Sequence, residues 1–296
     1  MTKTFIYIIL FCLPSFKLFG QTQNTLLYKI YGNGLNSPSY IWGTYHLLSK
    51  KFIDEEKTKV NSALYQCQGI VVEVLIDPNE SLKLLPYFIA PKDSILSTIL
   101  SEDEYKLVAR ILKNETGLNL SSFNKLKPFN ITATLLKQNN SKSLKDSKKY
   151  GNSAMDLDFI EYAKNNNLTV SPLETVEEQA SLLFKSSIAT QKKALLTTIN
   201  EINTVKYMQD SLYFAYKNED VKTLENILFN HQFDDYEMNS DELIKNRNLN
   251  WITKLPNLFK EKSQFVAVGA GHLLGEFGLL NLLKNKGYTI EAIILF

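Results

Sequence analysis

The chain has 296 residues, 44% of them apolar and 22% charged, which is enough to bury a full core and carries no mark of disorder. Its 33 basic and 31 acidic residues leave a formal net charge of +2, so no global field recruits nucleic acid or an anionic membrane.

Residues 1–20 read as a secretory signal peptide. Lys3 gives the positive start, Phe5 to Leu13 a short apolar run, and Gly20 a small residue ahead of a polar mature end at Gln21. The product is then exported, to the periplasm or the outside of the cell. An uncleaved N-terminal anchor is the alternative reading, because Lys17 and Leu18 depart from the small-x-small cleavage rule; it is the one membrane attachment the sequence offers. Cleavage would leave Cys67 alone, unable to form an internal disulfide and placed where a small buried apolar residue fits better than a nucleophile.

From Leu26 the mature chain, residues 21–296, reads as a single domain. Leu26 to Tyr31, the turn-rich Gly32 to Pro38 and Ser39 to Gly43 predict a hairpin. A helix from about Asp54 to Tyr65 leads to the apolar strand Gly69 to Val74. Apolar residues at three- and four-residue spacings then predict helices over Leu82 to Ile89, Glu102 to Leu112, Pro128 to Leu136, Ala154 to Asn165, Val176 to Phe184 and Gln191 to Tyr216. Asn139 to Lys149, rich in Lys, Ser and Asn, reads as an exposed loop, and Leu168 to Leu173 as a short strand. The end returns to strand (Gln264 to Val268), helix (about Gly275 to Lys286, stopped by Gly287) and strand (Thr289 to Leu295). The pattern predicts an α/β fold: a central mixed sheet built from N- and C-terminal strand-helix-strand units, with a largely helical middle insertion.

Two of the three histidines lie in Gly-x-x-His tetrapeptides near opposite ends of the chain, Gly43-Thr44-Tyr45-His46 and Gly269-Ala270-Gly271-His272. Each follows an apolar strand-like run. A glycine at a strand's C-terminal edge lets the backbone turn close to a ligand, and the histidine can then project over the sheet edge. One such tetrapeptide matches by chance; two in the same setting describe a site, with imidazole available as metal ligand or general base. Glu73 sits in an otherwise apolar strand, where a carboxylate must be paired, coordinated or shown at a strand end; a solvent-facing edge position is an equal alternative. With His46 and His272 it would complete a two-His, one-carboxylate set, suited to zinc, manganese, cobalt or iron, with positions left for water and substrate.

Glu276 opens the predicted terminal helix, so complementing the helix end comes before a role as general base. Arg247 could hold a substrate carboxylate or an oxyanion, although such an arginine is more often a surface ion-pair partner. Asp156 and Glu174 read as a helix-start acid and a loop acid with structural roles first, and His231 lacks the glycine-strand setting. There is no G-x-S-x-G elbow, phosphate-binding loop or CxxC pair.

In order, Trp42-Gly43-Thr44-Tyr45-His46, Val71-Val72-Glu73, Asp156, Leu173-Glu174-Thr175-Val176-Glu177-Glu178-Gln179, Arg247-Asn248-Leu249-Asn250-Trp251 and the long Val268 to Tyr288 segment resemble the TraB/GumN family, whose animal relatives include the Tiki metalloproteases. The resemblance covers nearly all of the mature chain. It implies a metal-dependent hydrolase acting on peptide or protein, with His46, His272 and Glu73 around a divalent ion (manganese, cobalt or zinc) and Arg247 in support. The alternatives are a non-catalytic protein that captures a peptide or ligand in the same cleft, and a metal- or haem-capturing protein. The sequence does not set the oligomeric state.

Overall fold

The computed structural model describes residues 24–75, 84–138, 146, 148–151, 153–229 and 241–294. The expected signal peptide, His231 and most of the expected loop 139–149 lie outside the described residues. No helix among the described residues is long and apolar enough to cross a membrane.

Six strands form one mixed sheet: β1 (Leu27–Tyr31), β2 (Ser39–Thr44), β3 (Gly69–Val74), β4 (Thr169–Glu174), β5 (Gln264–Gly269) and β6 (Thr289–Ala292), in the order β4-β3-β5-β2-β1-β6. The expected α/β class and helical middle are what the fold shows. β1 and β2 form the antiparallel hairpin. β5 is inserted between β2 and β3, parallel to both, and β4 continues the parallel run beyond β3. β3, β5 and β2 are buried almost throughout, as a parallel sheet covered on both faces requires. Pro172 pairs opposite Val72; β4 is an edge strand, where a residue without N–H is tolerated.

Several expected elements change shape. β6 does not join β5 but crosses to the far edge, antiparallel to β1. The helix expected over Asp54 to Tyr65 is two, Lys50–Glu56 and Thr58–Leu64, broken at Lys57. There Lys57 Nζ reaches the buried Glu219 carboxylate at 2.5 Å, and the same carboxylate accepts the N–H of Leu26. The helix expected over Gln191 to Tyr216 divides at Glu201 into Ile188–Asn200 and Ile202–Lys217. The halves serve different cores: Leu195 and Ile199 join Val108, Leu112, Ile131 and Leu135 in a purely helical cluster, whereas Tyr213 and Tyr216 enter the main core at the sheet. Between Leu82 and Ile89 the helix is a single turn, Leu85–Phe88. The terminal helix begins only at Leu279, because Gly275 has φ +79° and Gly278, at the N-cap, is extended with φ −66° and ψ 147°. Cys67 is a buried free thiol, as expected, and burial pushes its pKa up to about 11.

Gly43 is the sheet glycine that lies tightest against backbone. A Cβ there would stand 2.9 Å from Ala270 Cα and 3.1 Å from Leu273 Cδ1. Backbone cannot yield as a flexible side chain can, so Gly43→Ala should cost about 1–3 kcal/mol of overpacking and push aside the turn that carries His272. Urea unfolding of the variant tests this, and an unchanged midpoint would rule out the tight contact.

Candidate active site

β3, β5 and β2 run parallel side by side, so their C-terminal ends open on one edge of the sheet, where α/β proteins place their ligands. β2 leads through Thr44 and Tyr45 to His46. β5 ends at Gly269 and passes into a 3₁₀ turn, Ala270–Leu273, that carries His272. β3 contributes Glu73 from the strand between its end and Val72. The register sets Thr44 beside Gly269, which brings together tetrapeptides from opposite ends of the sequence.

Glu73 is buried and does not face solvent. Its Oε1 accepts the Gly269 N–H at 2.7 Å and lies 3.7 Å from His272 Nε2; its Oε2 accepts from Arg247 Nη2 at 2.5 Å. Gly269 matters for what it lacks: a Cβ built there would be 3.2 Å from Glu73 Oε1, 3.7 Å from His46 Nε2 and 3.7 Å from His272 Cδ2. The glycine therefore opens a space rimmed by both histidines and the carboxylate.

Each imidazole is held from behind. Asn248 Nδ2 donates to the carbonyls of His272 and Phe277, which leaves its Oδ1 to accept the His272 Nδ1 proton at 2.7 Å. His272 Nε2 therefore carries the lone pair, and that lone pair accepts from Arg247 Nη1 at 2.9 Å. His46 Nδ1 donates to Asp156 Oδ2 at 2.6 Å, while Thr44 Oγ1 secures Asp156 Oδ1 at 2.8 Å. Asp156 lies in the first turn of helix Met155–Asn165, whose start is seated by Trp42 Nε1 on Met155 Sδ. The histidines differ in access: the His272 side chain is 6% exposed, that of His46 62%.

Arg247 belongs to helix Asn246–Glu261, entered through a π-helical turn at Asp241–Lys245. Besides Glu73 and His272, it donates to both Glu174 oxygens, with Nη2 to Oε1 at 2.7 Å, and to the Leu243 carbonyl. Trp251, one turn on, lies under the guanidinium at 4.6 Å, packs against the His272 ring at 4.3 Å and donates its indole N–H to Glu174. Arg247, His272, Glu73, Glu174 and Trp251 thus form one buried network.

Burial works against charge on Glu73 and His272, and the neighbours decide the outcome. At Glu73 the charges of His272, Arg247 and His46 and the Gly269 N–H overcome burial and hold the carboxyl down at about 2. At His272 burial prevails, aided by Arg247, and the pKa falls to about 3 in spite of Glu73. At His46, whose ring is exposed, the hydrogen bond and charge of Asp156 push the pKa up to about 9. With His272 neutral at pH 7, Arg247 and the protonated His46 are the cations that keep Glu73 ionised.

His46, His272, Glu73 and Arg247, singled out from the sequence, therefore come together. Glu276 does not: it is exposed in the turn before the last helix, and no polar contact of these four involves it. Asp156 and Glu174, read as structural acids, instead orient His46 and Arg247. Asn248 and Trp251 were visible only as letters of a motif.

The chain matches the description TraB/PrgY/gumN family over residues 26–292. It belongs to the TraB/PrgY/gumN family. Among curated proteins, this family member is similar to Metalloprotease TIKI2 of Danio rerio, 23% identical over 92% of this chain and 61% of that protein. It is also similar to Metalloprotease TIKI1 of Xenopus tropicalis, 24% identical over 86% of this chain and 59% of that protein, and to the Metalloprotease TIKI homolog of Amphimedon queenslandica, 23% identical over 93% and 62%. The chain spans about three fifths of the length of these relatives. No solved structure matches it.

Those relatives are named as metalloproteases, and the donor chemistry at this edge is of a kind that suits a divalent ion. It offers a neutral imidazole with its Nδ1 proton already committed, a second imidazole held by Asp156 that binds an ion on releasing its Nε2 proton, an ionised carboxylate, and a space that a methyl group would fill. The fit is in donor chemistry and not in a finished cage. Among the described residues no three His, Cys, Asp or Glu side chains are assembled as an ion site, and Arg247 covers His272 Nε2.

Proposed function

We propose that this protein is an exported metal-dependent hydrolase, a peptidase, whose divalent ion would be held by His46, His272 and Glu73. The observation that carries this reading is the space at Gly269, rimmed by those three side chains. When bound, such an ion supplies Lewis-acid polarisation of a peptide carbonyl and a water of lowered pKa.

The chain's own groups prepare that chemistry. Asp156 and Asn248 hold the Nδ1 protons of His46 and His272, which fixes the ring orientations and directs Nε2 inward, as outer partners of metal-binding histidines do. Glu73 remains ionised beside Arg247, so its charge is available without a proton to remove. Trp251 packs on the His272 ring and keeps water from that face of it, which strengthens the electrostatic interactions there. Access for an extended peptide lies on the His46 side, where the ring is open to solvent.

The test is divalent-metal content, by mass spectrometry, of protein purified without chelator, for wild type and His46→Ala, His272→Ala and Glu73→Ala. Near-stoichiometric metal in the wild type, lost in each variant, with peptide cleavage restored after chelation by manganese, cobalt or zinc, is the expected result. His46→Ala is the cleanest variant, because its exposed ring contributes least to the core. A wild type that takes up no metal even on reloading would overturn the reading in favour of a capture protein.

A further inference from the structure

The contact that keeps the three donors from forming a finished cage is itself informative. Arg247 Nη1 donates to His272 Nε2 at 2.9 Å and Nη2 to Glu73 Oε2 at 2.5 Å. Because Asn248 fixes the His272 tautomer, Nε2 is the one nitrogen of that ring able to bind an ion, and its only lone pair is engaged. The geometry points to Arg247 as an internal stand-in for the ion, a cation that occupies the donors until a divalent ion displaces it; this rests on the metal-site reading above.

Two further features suit a side chain that moves. Arg247 is tethered at Glu174 through three hydrogen bonds independent of His272 and Glu73, so leaving the donors does not mean leaving its counter-ion. On that side lies a cavity of about 390 Å³, lined by Glu174, Glu178, Asn246, Asn250 and Trp251 among others, with acceptor oxygens and room for a guanidinium. The stand-in also serves the metal-free protein. A buried Glu73 with no cation beside it would be strongly destabilising, and Arg247 supplies that cation. Metal affinity is then set by a competition between two cations for the same donors.

The experiment is manganese, cobalt and zinc affinity, measured by competition with a chromophoric chelator, for wild type, Arg247→Met and Arg247→Lys. Charged hydrogen bonds no longer have to be broken in Arg247→Met, and it should bind at least about tenfold more tightly. Arg247→Lys keeps the charge but loses the planar fork and should fall between the two. An independent signal comes from the wild type itself: the guanidinium leaves the Trp251 ring as metal binds, so indole fluorescence should change on titration, and this change should be absent in Arg247→Met. Affinity that is unchanged or weaker in both variants, or a wild-type titration with metal bound and indole emission constant, would overturn the stand-in role and leave the metal site standing. Failure of wild type and variants alike to bind any of the three ions would overturn both. If Arg247→Met does not fold, the Lys variant and the wild-type titration decide.

Discussion

Gly269→Ala is expected to abolish most metal binding and activity while leaving the fold almost intact. The residue has φ −50° and ψ 136°, a backbone conformation open to any L-amino acid, so a methyl group introduces no strain of its own. Its cost is local: it lands 3.2 Å from Glu73 Oε1 and 3.7 Å from His46 Nε2, so the carboxylate must shift by a few tenths of an ångström. About 1 kcal/mol of stability should be lost, at the low end for overpacking, whereas metal affinity should fall about 10–100-fold, the scale seen when groups supporting a metal site are disturbed. Paired measurements of thermal midpoint and chelator-competition affinity check this. Full metal occupancy in the alanine variant would show that the space at Gly269 is not where the chemistry happens.

Glu174→Ala should be the most destabilising change among the polar residues of this edge. The carboxylate is buried, accepts three hydrogen bonds from Arg247 and one from the Trp251 indole, and so is the main anchor of a buried cation. Removing one partner of such a pair costs about 3–5 kcal/mol, because the remaining charge stays buried with too few partners. Glu174→Gln keeps the shape and one acceptor and should lose roughly half as much. Guanidinium unfolding of the two variants measures both, and a loss below about 1 kcal/mol for the alanine would mean that the network can rearrange freely. Activity should fall in the same order, although Glu174 does not reach the space at Gly269.

The sequence carried the parts of this site that depend on local pattern. A glycine after an apolar run, a histidine three residues on and a carboxylate within an apolar strand are each readable where they stand; the strand order, with β5 between β2 and β3 and β6 at the far edge, was not. Asp156 and Glu174 were not legible in this way. An acid in the first turn of a helix or at a strand end has the same local signature whether it caps the element or grips a side chain 110 or 73 residues away. The helix breaks at Lys57 and Glu201 hid for a related reason. Apolar spacing continues through both, and what stops the helices is a buried carboxylate elsewhere in the chain and the existence of two separate cores. Glu276 was misplaced because Gly275 and Gly278 were read as part of a helix, when the positive φ of Gly275 and the extended backbone of Gly278 form the turn before it.

The place of β5 in the sheet has a consequence for how the protein comes into being. β5 is the keystone of the parallel run, yet Gln264 meets Ser39 across 225 residues of chain. Without β5, β2 and β3 have no strand to share, and each keeps an open hydrogen-bonding edge of the kind that recruits other strands. The strand that closes the sheet also delivers His272 and the Gly269 N–H that Glu73 accepts, so the parallel run and the candidate site are completed together.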